Sequence, residues 1–345
     1  MVKTFLITGG SGFFGYNLCE YLVKKCHEVR SIDVEEFDYP IKGKIKAYRG
    51  DIRDKVLVNK ILKGVDVIVH VAAALPLWPE KEIFSTNVDG TRILLEAAVK
   101  NKVKHFIFIS STAVYGIPKR HPLREDAPLS GVGPYGTSKI LAEKICEGYR
   151  NKLCVTILRP KTFVGRGRLG VFQVLFDWIR NGKNIPLIGS GKNRYQLMDV
   201  DDLCDAVYLV STKPANAAND TFNVGASEFK TMKEDFQALV DYAGFGKKVI
   251  TLPSQPTIIA LRLLWTFRLS PLYSWIFESA DKDSFVSIEK IQKKLGWKPK
   301  KSNAQALIEC YKWYLKHYKE YEGKSGITHR LPWKHGVLRL VSWFF

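Results

Sequence analysis

The sequence contains few cysteines, and none are spaced to share a metal ion or form a redox pair. Its six cysteines lie at positions 19, 26, 146, 154, 204 and 310. No Cys-x-x-Cys pair occurs, and no cysteine lies near a histidine at the spacing of a zinc site. We therefore expect reduced thiols, no bound metal and a cytoplasmic protein.

Long hydrophobic runs are also missing. The N-terminal apolar run at 2–7 is too short for a signal peptide and leads directly into a glycine-rich turn. The stretch 256–277 is apolar and aromatic, but Arg262, Arg268 and Pro271 make it a poor candidate to span a bilayer. No repeat or low-complexity segment is present.

Acidic residues are outnumbered, which gives a net charge of +19. Residues 281–345 hold 14 Lys and Arg against 6 Asp and Glu, so the excess is concentrated near the C-terminus. A basic excess fits nucleic acid, an anionic membrane surface or a phosphorylated substrate. Because no nucleic-acid-binding motif accompanies the charge, we do not expect nucleic acid as a partner.

Two segments combine aromatic and basic residues in a way that suits the surface of an anionic membrane. They are 256–277 and the C-terminal tail 327–345. We expect peripheral contact at the inner face of a membrane. Packing of the tail over the substrate and a contact between subunits are the alternatives.

A glycine-rich turn, TGGSGFFG at 8–15, follows the first apolar run and precedes a helical pattern. This order predicts a strand, a tight turn and a helix whose free N–H groups face a phosphate. Glycine at position 9 allows the tight turn, and glycine at position 12 lets a pyrophosphate approach the backbone. Glycine at position 15 lets the helix lie close to the strand. The predicted cofactor contacts here are Gly9, Gly12, Phe13, Phe14 and Gly15.

An acidic residue closes the second predicted strand. Asp33 lies eighteen residues beyond Gly15, where a carboxylate can accept hydrogen bonds from the ribose hydroxyls of adenosine. The same carboxylate repels a 2′-phosphate. The sequence therefore favours NAD over NADP.

Further candidate cofactor contacts follow the third and fourth predicted strands. Asp51 and Ile52 are placed to meet the adenine, with a helix N-cap by Asp51 or Asp54 as an equal alternative. Ala72 and Ala73 are small enough to let the cofactor approach their backbone. His70, which closes the fourth strand, is expected to be a hydrogen-bonded core residue rather than a catalyst.

Short apolar runs alternate with helical patterns along the first half of the chain. The predicted strands are 2–7, 28–32, 45–49, 65–70, 105–109 and 153–158. This alternation predicts an α/β fold with a doubly wound parallel sheet and with ligands at the carboxyl ends of the strands. The length of 345 residues adds a second, smaller lobe to this prediction.

Three polar side chains form a candidate catalytic set. Tyr135 and Lys139 are four residues apart, so they share one face of a helix. An adjacent ammonium stabilises a phenolate, which helps Tyr135 to take and return a proton near neutral pH. Ser111, at the end of the neighbouring strand, can hydrogen-bond the same substrate oxygen, and its neighbours Ser110 and Thr112 are the alternatives for this role.

Together these motifs resemble those of the extended short-chain dehydrogenase/reductases, the NAD-dependent epimerase/dehydratase superfamily. The motifs that carry the resemblance are TGGSGFFG at 8–15, Asp33, HVAA at 70–73, SSTAVYG at 110–116, YGTSK at 135–139, LRP at 158–160, FNVG at 222–225 and KLGWKP at 294–299. The resemblance implies a Rossmann domain with an interleaved substrate lobe, a tightly held NAD, and Ser111, Tyr135 and Lys139 as the catalytic set. It also implies that Lys139 contacts the nicotinamide ribose and that Asn87 lies near the site.

By this resemblance we divide the chain into three parts. Residues 1–164 form the NAD-binding domain, to which 197–225 return. Residues 165–196 and 226–326 form the substrate lobe, and 327–345 form the tail. The family also suggests a homodimer built on the helix that carries Tyr135.

Departures from the family pattern narrow the expected activity. Related sugar-nucleotide dehydratases carry an Asp-Glu pair where this chain has Thr112 and Ala113, so dehydration is not expected. Related epimerases often place a diphosphate-binding arginine where this chain has Tyr195. Arg194, one residue earlier, is the candidate replacement.

An apolar lip that contains Leu75 and Trp78 replaces a polar sugar clamp. We therefore expect a dehydrogenase that interconverts a secondary alcohol and a ketone on an amphipathic or sterol-like substrate. A sugar-nucleotide epimerase with tightly bound NAD is the first alternative. A non-catalytic NAD-binding scaffold is the second.

Overall fold

A computed structural model of the chain describes residues 2–267, 269, 272, 274–324, 326, 328, 330–332 and 345. The strands in chain order are β1 (Thr4–Thr8), β2 (Glu28–Asp33), β3 (Lys46–Arg49), β4 (Val67–His70), β5 (His105–Ile109), β6 (Cys154–Pro160), β7 (Phe163–Val164), β8 (Ile185–Ile188), β9 (Met198–Asp199), β10 (Thr221–Val224) and β11 (Val249–Leu252).

The helices are α1 (Phe13–Lys24), α2 (Lys55–Ile61), α3 (Glu80–Phe84), α4 (Gly90–Lys100), α5 (Gly133–Glu147), α6 (Val171–Arg180), α7 (Val200–Thr212), α8 (Ala215–Ala218), α9 (Met232–Ala243), α10 (Ser254–Thr266), α11 (Ser274–Glu278), α12 (Glu289–Leu295) and α13 (Asn303–His317). One π-helical turn, Ser85–Asp89, joins α3 to α4. A short 3-10 turn, Thr112–Tyr115, follows β5.

A seven-stranded parallel sheet in the order β10-β6-β5-β4-β1-β2-β3 forms the centre of the molecule. Every residue of β4, β5 and β6 is buried, because helices cover both faces of the sheet. Helices α1 and α7 pack on one face, and α2, α4 and α5 pack on the other. The predicted α/β fold with a doubly wound parallel sheet is confirmed.

A second core lies beside the sheet. Helices α6, α9 and α13 pack with the small parallel sheet formed by β8 and β11. These elements come from 165–196 and 226–326, the segments assigned to the substrate lobe. In contrast, Ile291, Leu295 and Trp297 pack in the core beneath the main sheet, although they belong to the second of those segments. The division into domains remains a prediction.

The strand and helix ends differ slightly from those expected. Strand β6 runs two residues further than predicted, to Pro160, because Val224 of β10 still pairs with it there. Asp54 is the N-cap of α2, and its carboxylate accepts hydrogen bonds from Val56 N and Leu57 N. Asp51, the other acidic residue considered for that cap, is therefore available for another role.

The segments expected to face a membrane are only partly described. Helix α10 exposes Ile259, Leu263 and, next to its end, Phe267. Most of the tail 327–345 lies outside the described residues. Within the described part of the chain, no helix has the length and apolar character needed to cross a bilayer. Membrane contact and the homodimer remain predictions.

Candidate active site

A cavity of about 680 Å³ opens at the carboxyl ends of the central strands and extends into the second core. Most of the predicted site residues line it: Gly9, Gly12, Phe13, Phe14, Asp33, Asp51, Ile52, Ala72, Ala73, Leu75, Trp78, Ser111, Tyr135 and Lys139. Gly15, Asn87 and Arg194 do not. The parallel sheet brings these distant segments together because all its strands end at the same edge.

The glycine-rich turn lies too close to neighbouring backbone to admit a side chain at Gly9 or Gly15. Gly9 has a φ of +69°, and a Cβ on it would lie 2.8 Å from the backbone of Ala72. A Cβ on Gly15 would lie 2.0 Å from the carbonyl oxygen of Gly9. Gly15 is thus a packing position, which lets α1 start directly beneath the turn.

The start of α1 suits an anion. Gly12 is its N-cap, no side chain caps it, and its first turn contains no acidic residue. The first N–H groups of a helix lack intrahelical acceptors and carry partial positive charge. Since Gly12, Phe13 and Phe14 also line the cavity, the turn fits the diphosphate of a dinucleotide.

Asp33 lies at the end of β2, beside the turn. Its two carboxylate oxygens accept hydrogen bonds from Ser11 N at 2.9 Å and Glu35 N at 3.0 Å. Burial raises the pKa of the Asp33 carboxyl, and these two donors partly offset that rise. Each oxygen can accept a further hydrogen bond, so the site fits the ribose of NAD.

Asp51 forms an ion pair on the cavity wall. Arg53 contacts the Asp51 carboxylate at 2.6 Å and Glu82 at 2.9 Å. Arg53 therefore holds the pKa of Asp51 below its usual range. An ionised carboxylate can only accept, so Asp51 fits an amino group of the ligand.

Ser111 follows β5 and caps the short turn behind it. Its hydroxyl accepts a hydrogen bond from Ala113 N at 3.1 Å and lines the cavity. The hydroxyl of the preceding Ser110 instead donates to the buried Glu143 at 2.5 Å. This difference favours Ser111 as the serine that meets a ligand.

Tyr135 and Lys139 lie on one face of α5, as their spacing predicts. The Lys139 ammonium is 6.0 Å from the centroid of the Tyr135 ring and 4.7 Å from that of Phe108. It donates a hydrogen bond to the carbonyl oxygen of Ile109 at 3.0 Å. Burial lowers the pKa of Lys139 to about 8, while Glu143 acts in the opposite direction.

A buried ion pair supports this part of the site from below. Arg159, at the end of β6, contacts the Glu143 carboxylate at 2.7 Å, and both side chains are almost fully buried. Arg159 also donates to the hydroxyl of Tyr115 at 2.8 Å. A buried pair whose other hydrogen bonds are satisfied fixes the relative positions of the elements that carry it. Here those elements are α5, which carries Tyr135, and the end of β6.

Asn87 contributes to the site indirectly. It is buried outside the cavity, where its side-chain oxygen accepts from Ala74 N at 2.8 Å and its amide donates to Ser138 at 3.0 Å. It thus links the loop after β4 to α5 and does not itself line the cavity, so a direct contact between Asn87 and the cofactor remains a prediction. His70 is a core residue between Thr8 and Thr91, at 2.8 and 2.9 Å, and burial lowers its pKa to about 3.

Arg194 does not take the place expected for it. Its guanidinium lies 4.2 Å from the centroid of Phe285, outside the cavity, whereas Tyr195 lines the cavity. The reason is backbone pairing: Tyr195 bridges Ser284, and the chain is extended there. Successive side chains of an extended segment point in opposite directions, so only one of the two neighbours faces the ligand.

Several basic residues of the cavity wall were not predicted from the sequence, among them Arg330 and Lys161. Arg330 donates to the carbonyl oxygen of Ser11 at 2.8 Å, beside Asp33. Lys161 comes directly after β6, much as Ser111 comes after β5. This position at the end of a central strand is the sequence signal by which Lys161 could have been predicted. For Arg330 the sequence holds no comparable signal.

Among the described residues, no group of three or more His, Cys, Asp or Glu side chains is arranged to bind a metal ion.

Comparison with known proteins gives a consistent result. Residues 5–225 match the NAD dependent epimerase/dehydratase family. A UDP-glucose 4-epimerase of Lactobacillus helveticus is 30% identical over 92% of this chain and 99% of its own length. A 3 beta-hydroxysteroid dehydrogenase/Delta 5-->4-isomerase of Mycobacterium tuberculosis is 25% identical over 93% and 92%.

The fold is shared with solved structures. The UDP-glucose 4-epimerase of Thermotoga maritima, crystallised with UDP-glucose, superposes with a TM-score of 0.76. The superposition covers 91% of this chain and 99% of that chain at 24% identity. At this identity the likeness establishes the fold.

Proposed function

The chain belongs to the NAD dependent epimerase/dehydratase family, and from this premise we propose that it is an epimerase of nucleoside-diphosphate sugars. NAD is its cofactor, and the chain is an enzyme of the extended short-chain dehydrogenase type. In the proposed reaction one ring hydroxyl is oxidised to a ketone and then reduced again with the opposite configuration. No net consumption of NAD results.

This proposal rests on one observation, which is that two sets of predicted site residues line the same cavity. The glycine-rich turn and Asp33 lie at one end, and Ser111, Tyr135 and Lys139 lie further along the same wall. Such a cavity suits a dinucleotide whose reactive ring meets a hydroxyl group of a second ligand. Thr112 and Ala113 offer no carboxylic acid to expel water, which favours epimerisation over dehydration.

When bound, NAD accepts a hydride from a carbinol carbon and can return it. Tyr135 takes the proton of the substrate hydroxyl during oxidation and gives it back during reduction. Lys139, held by the carbonyl of Ile109, keeps positive charge beside the Tyr135 ring and so favours its phenolate. Ser111 donates to the same substrate oxygen and orients it.

The sequence alone favoured an amphipathic or sterol-like substrate, and the relatives shift that preference. The Lactobacillus helveticus relative covers nearly the whole chain and bears the name of a UDP-sugar epimerase. One observation still favours a hydroxylated lipid as the second candidate. The far end of the cavity is lined by apolar side chains, among them Leu272, Trp275 and Ile276.

A substrate panel distinguishes the two candidates. The purified protein is incubated separately with UDP-glucose, UDP-galactose, UDP-glucuronate and, with added NAD, a hydroxylated steroid. An epimerase produces the isomeric sugar without lasting absorbance at 340 nm, whereas a dehydrogenase accumulates NADH. Isomerisation of none of the sugars, together with NADH formation from the steroid, would refute the proposal in favour of the second candidate.

A further inference from the structure

Lys161 is a buried lysine in the wall of the cavity, at the end of the strand next to the one that precedes Ser111. It is 3% exposed and is the first residue beyond β6. Because Ile109 of β5 pairs with Leu158 of β6, Ser111 and Lys161 leave adjacent strands at nearly the same level. The two side chains therefore lie on neighbouring parts of one wall.

The ammonium of Lys161 has few partners inside the protein. It donates to Ser284 Oγ at 2.6 Å and lies 4.8 Å from the centroid of the Tyr195 ring. It forms no ion pair with a described carboxylate, and burial alone lowers its pKa, to about 7. By comparison, the buried Arg159 is paired with Glu143. Burial of an ammonium without a counter-charge is costly, so a ligand is expected to supply one.

The groups around Lys161 are fixed in place. Tyr195 and Ser284 bridge each other, and Ser284 N donates to the carbonyl of Arg194 at 2.8 Å. The hydroxyl of Tyr195 is hydrogen-bonded to Thr162 at 2.9 Å. Since Ser284 Oγ accepts from Lys161, its own proton remains to be donated elsewhere. Lys161 and Ser284 thus present N–H and O–H donors together.

We propose that Lys161, assisted by Ser284, binds an anionic oxygen of the substrate. This inference rests on the proposed function. It deepens that function by assigning the residues that bind a negatively charged group of the substrate. The oxygen comes from one of two sources, a carboxylate on the sugar ring or the diphosphate that joins the sugar to its nucleoside. Both are acceptors that a buried ammonium recognises.

The experiment compares binding of UDP, UDP-glucose and UDP-glucuronate to the NAD-loaded protein by calorimetry. The variants are Lys161→Met, which removes the charge at similar volume, and Lys104→Met as control. Lys104 is an exposed lysine paired with Asp66 at 2.9 Å, at the opposite end of the sheet. Lys104→Met should bind all three ligands as the unmodified protein does.

The two sources predict different patterns. If Lys161 binds a ring carboxylate, Lys161→Met loses about tenfold or more in affinity for UDP-glucuronate alone. If it binds the diphosphate, all three affinities fall by about tenfold or more. Affinities that all stay within about twofold would overturn the proposal. Ser284→Ala serves as a second variant if Lys161→Met does not fold, and it should weaken the same ligands to a smaller extent.

Failure of the proposed function gives a separate result. If the unmodified protein binds none of the three ligands, it is not a UDP-sugar enzyme, and Lys161 is then tested with inorganic pyrophosphate and free glucuronate. At least one of these anions should raise the Tm of the unmodified protein more than that of Lys161→Met. Equal shifts, or no shift in either protein, would overturn the role of Lys161.

Discussion

The two ends of the cavity are built in different ways. At the cofactor end, the turn at 8–15 forms the candidate phosphate site from eight consecutive residues, and Asp33 is already oriented by two N–H donors. At the substrate end, Lys161, Tyr195 and Ser284 come from three distant segments. The cofactor end is therefore specified by local sequence, and the substrate end only by the tertiary fold.

The two buried lysines show the same contrast. Lys139 donates to Ile109 and lies near Glu143, whereas Lys161 contacts a hydroxyl and a ring and forms no ion pair within the described part of the chain. Burial lowers the pKa of Lys139 to about 8 and that of Lys161 to about 7. The nearby Glu143 carboxylate thus limits the lowering of the pKa at Lys139, the proposed catalytic lysine. At Lys161 we expect the substrate to provide the counter-charge.

The largest effect is expected where the two ends meet, at Tyr135. Tyr135→Phe removes the hydroxyl that carries the proton but keeps the ring beside Lys139. Turnover should fall by about 10²–10⁴-fold, the usual contribution of a general acid-base. Turnover is measured with the sugar or alcohol identified in the substrate panel, and NAD affinity by fluorescence titration.

A matched control separates chemistry from structure in that experiment. Tyr39→Phe removes another hydroxyl near the cofactor end, one that donates to the carbonyl of Ser11 at 2.9 Å. It should keep turnover within about an order of magnitude, because Tyr39 does not contact the reacting atoms. If Tyr135→Phe keeps most of its activity, the assignment of Tyr135 as the acid-base is wrong.

The second effect is a pH dependence of stability caused by Lys139. Its pKa is about 8 in the folded protein and near 10.5 when unfolded, so the unfolded state binds the proton more tightly. The resulting destabilisation is complete below pH 8, decreases between pH 8 and 10.5, and is absent above that range. Lys139→Met should therefore be more stable than the unmodified protein at pH 7, by about 3 kcal/mol.

Chemical denaturation of the NAD-free proteins at several pH values measures this difference. The gain from Lys139→Met should shrink steadily as the pH rises from 8 to 10.5. Lys104→Met, which removes an exposed lysine, should show no comparable trend. A gain that is independent of pH would mean that packing, rather than buried charge, accounts for the effect of Lys139→Met.

The third effect tests how closely the cofactor end is packed. Gly15→Ala places a Cβ 2.0 Å from the carbonyl oxygen of Gly9, so α1 or the turn must move. We expect a loss of about 1–3 kcal/mol in stability, the usual range for overpacking, together with weaker NAD binding. Gly43→Ala is the control, since a Cβ there meets nothing within 4 Å. Equal effects of the two changes on NAD affinity would argue against a tightly packed phosphate turn.

The contrast between the two ends of the cavity also explains which site residues could be predicted from the sequence. The turn, Asp33 and the Tyr135–Lys139 pair sit in short patterns whose geometry depends on one strand or one helix, so their places in the cavity could be predicted. Lys161 meets Ser284 only after segments 123 residues apart have folded together. The part that Asn87 plays could not be predicted in detail, because nothing in the sequence indicates that Ala74 and Ser138 occupy its amide.

The smallest effect is expected at Arg194, where the sequence and the structure disagree. Its exposed guanidinium packs on the buried ring of Phe285, and a cation–π contact at an exposed site contributes about 0.5–1 kcal/mol. Arg194→Ala should therefore lower stability slightly and leave the substrate KM within about twofold, as a change that removes no substrate contact does. Tyr195→Leu removes a cavity ring that faces Lys161 and should raise KM more. The opposite order would place the guanidinium on the substrate and mean that the extended pairing with Ser284 rearranges when substrate binds.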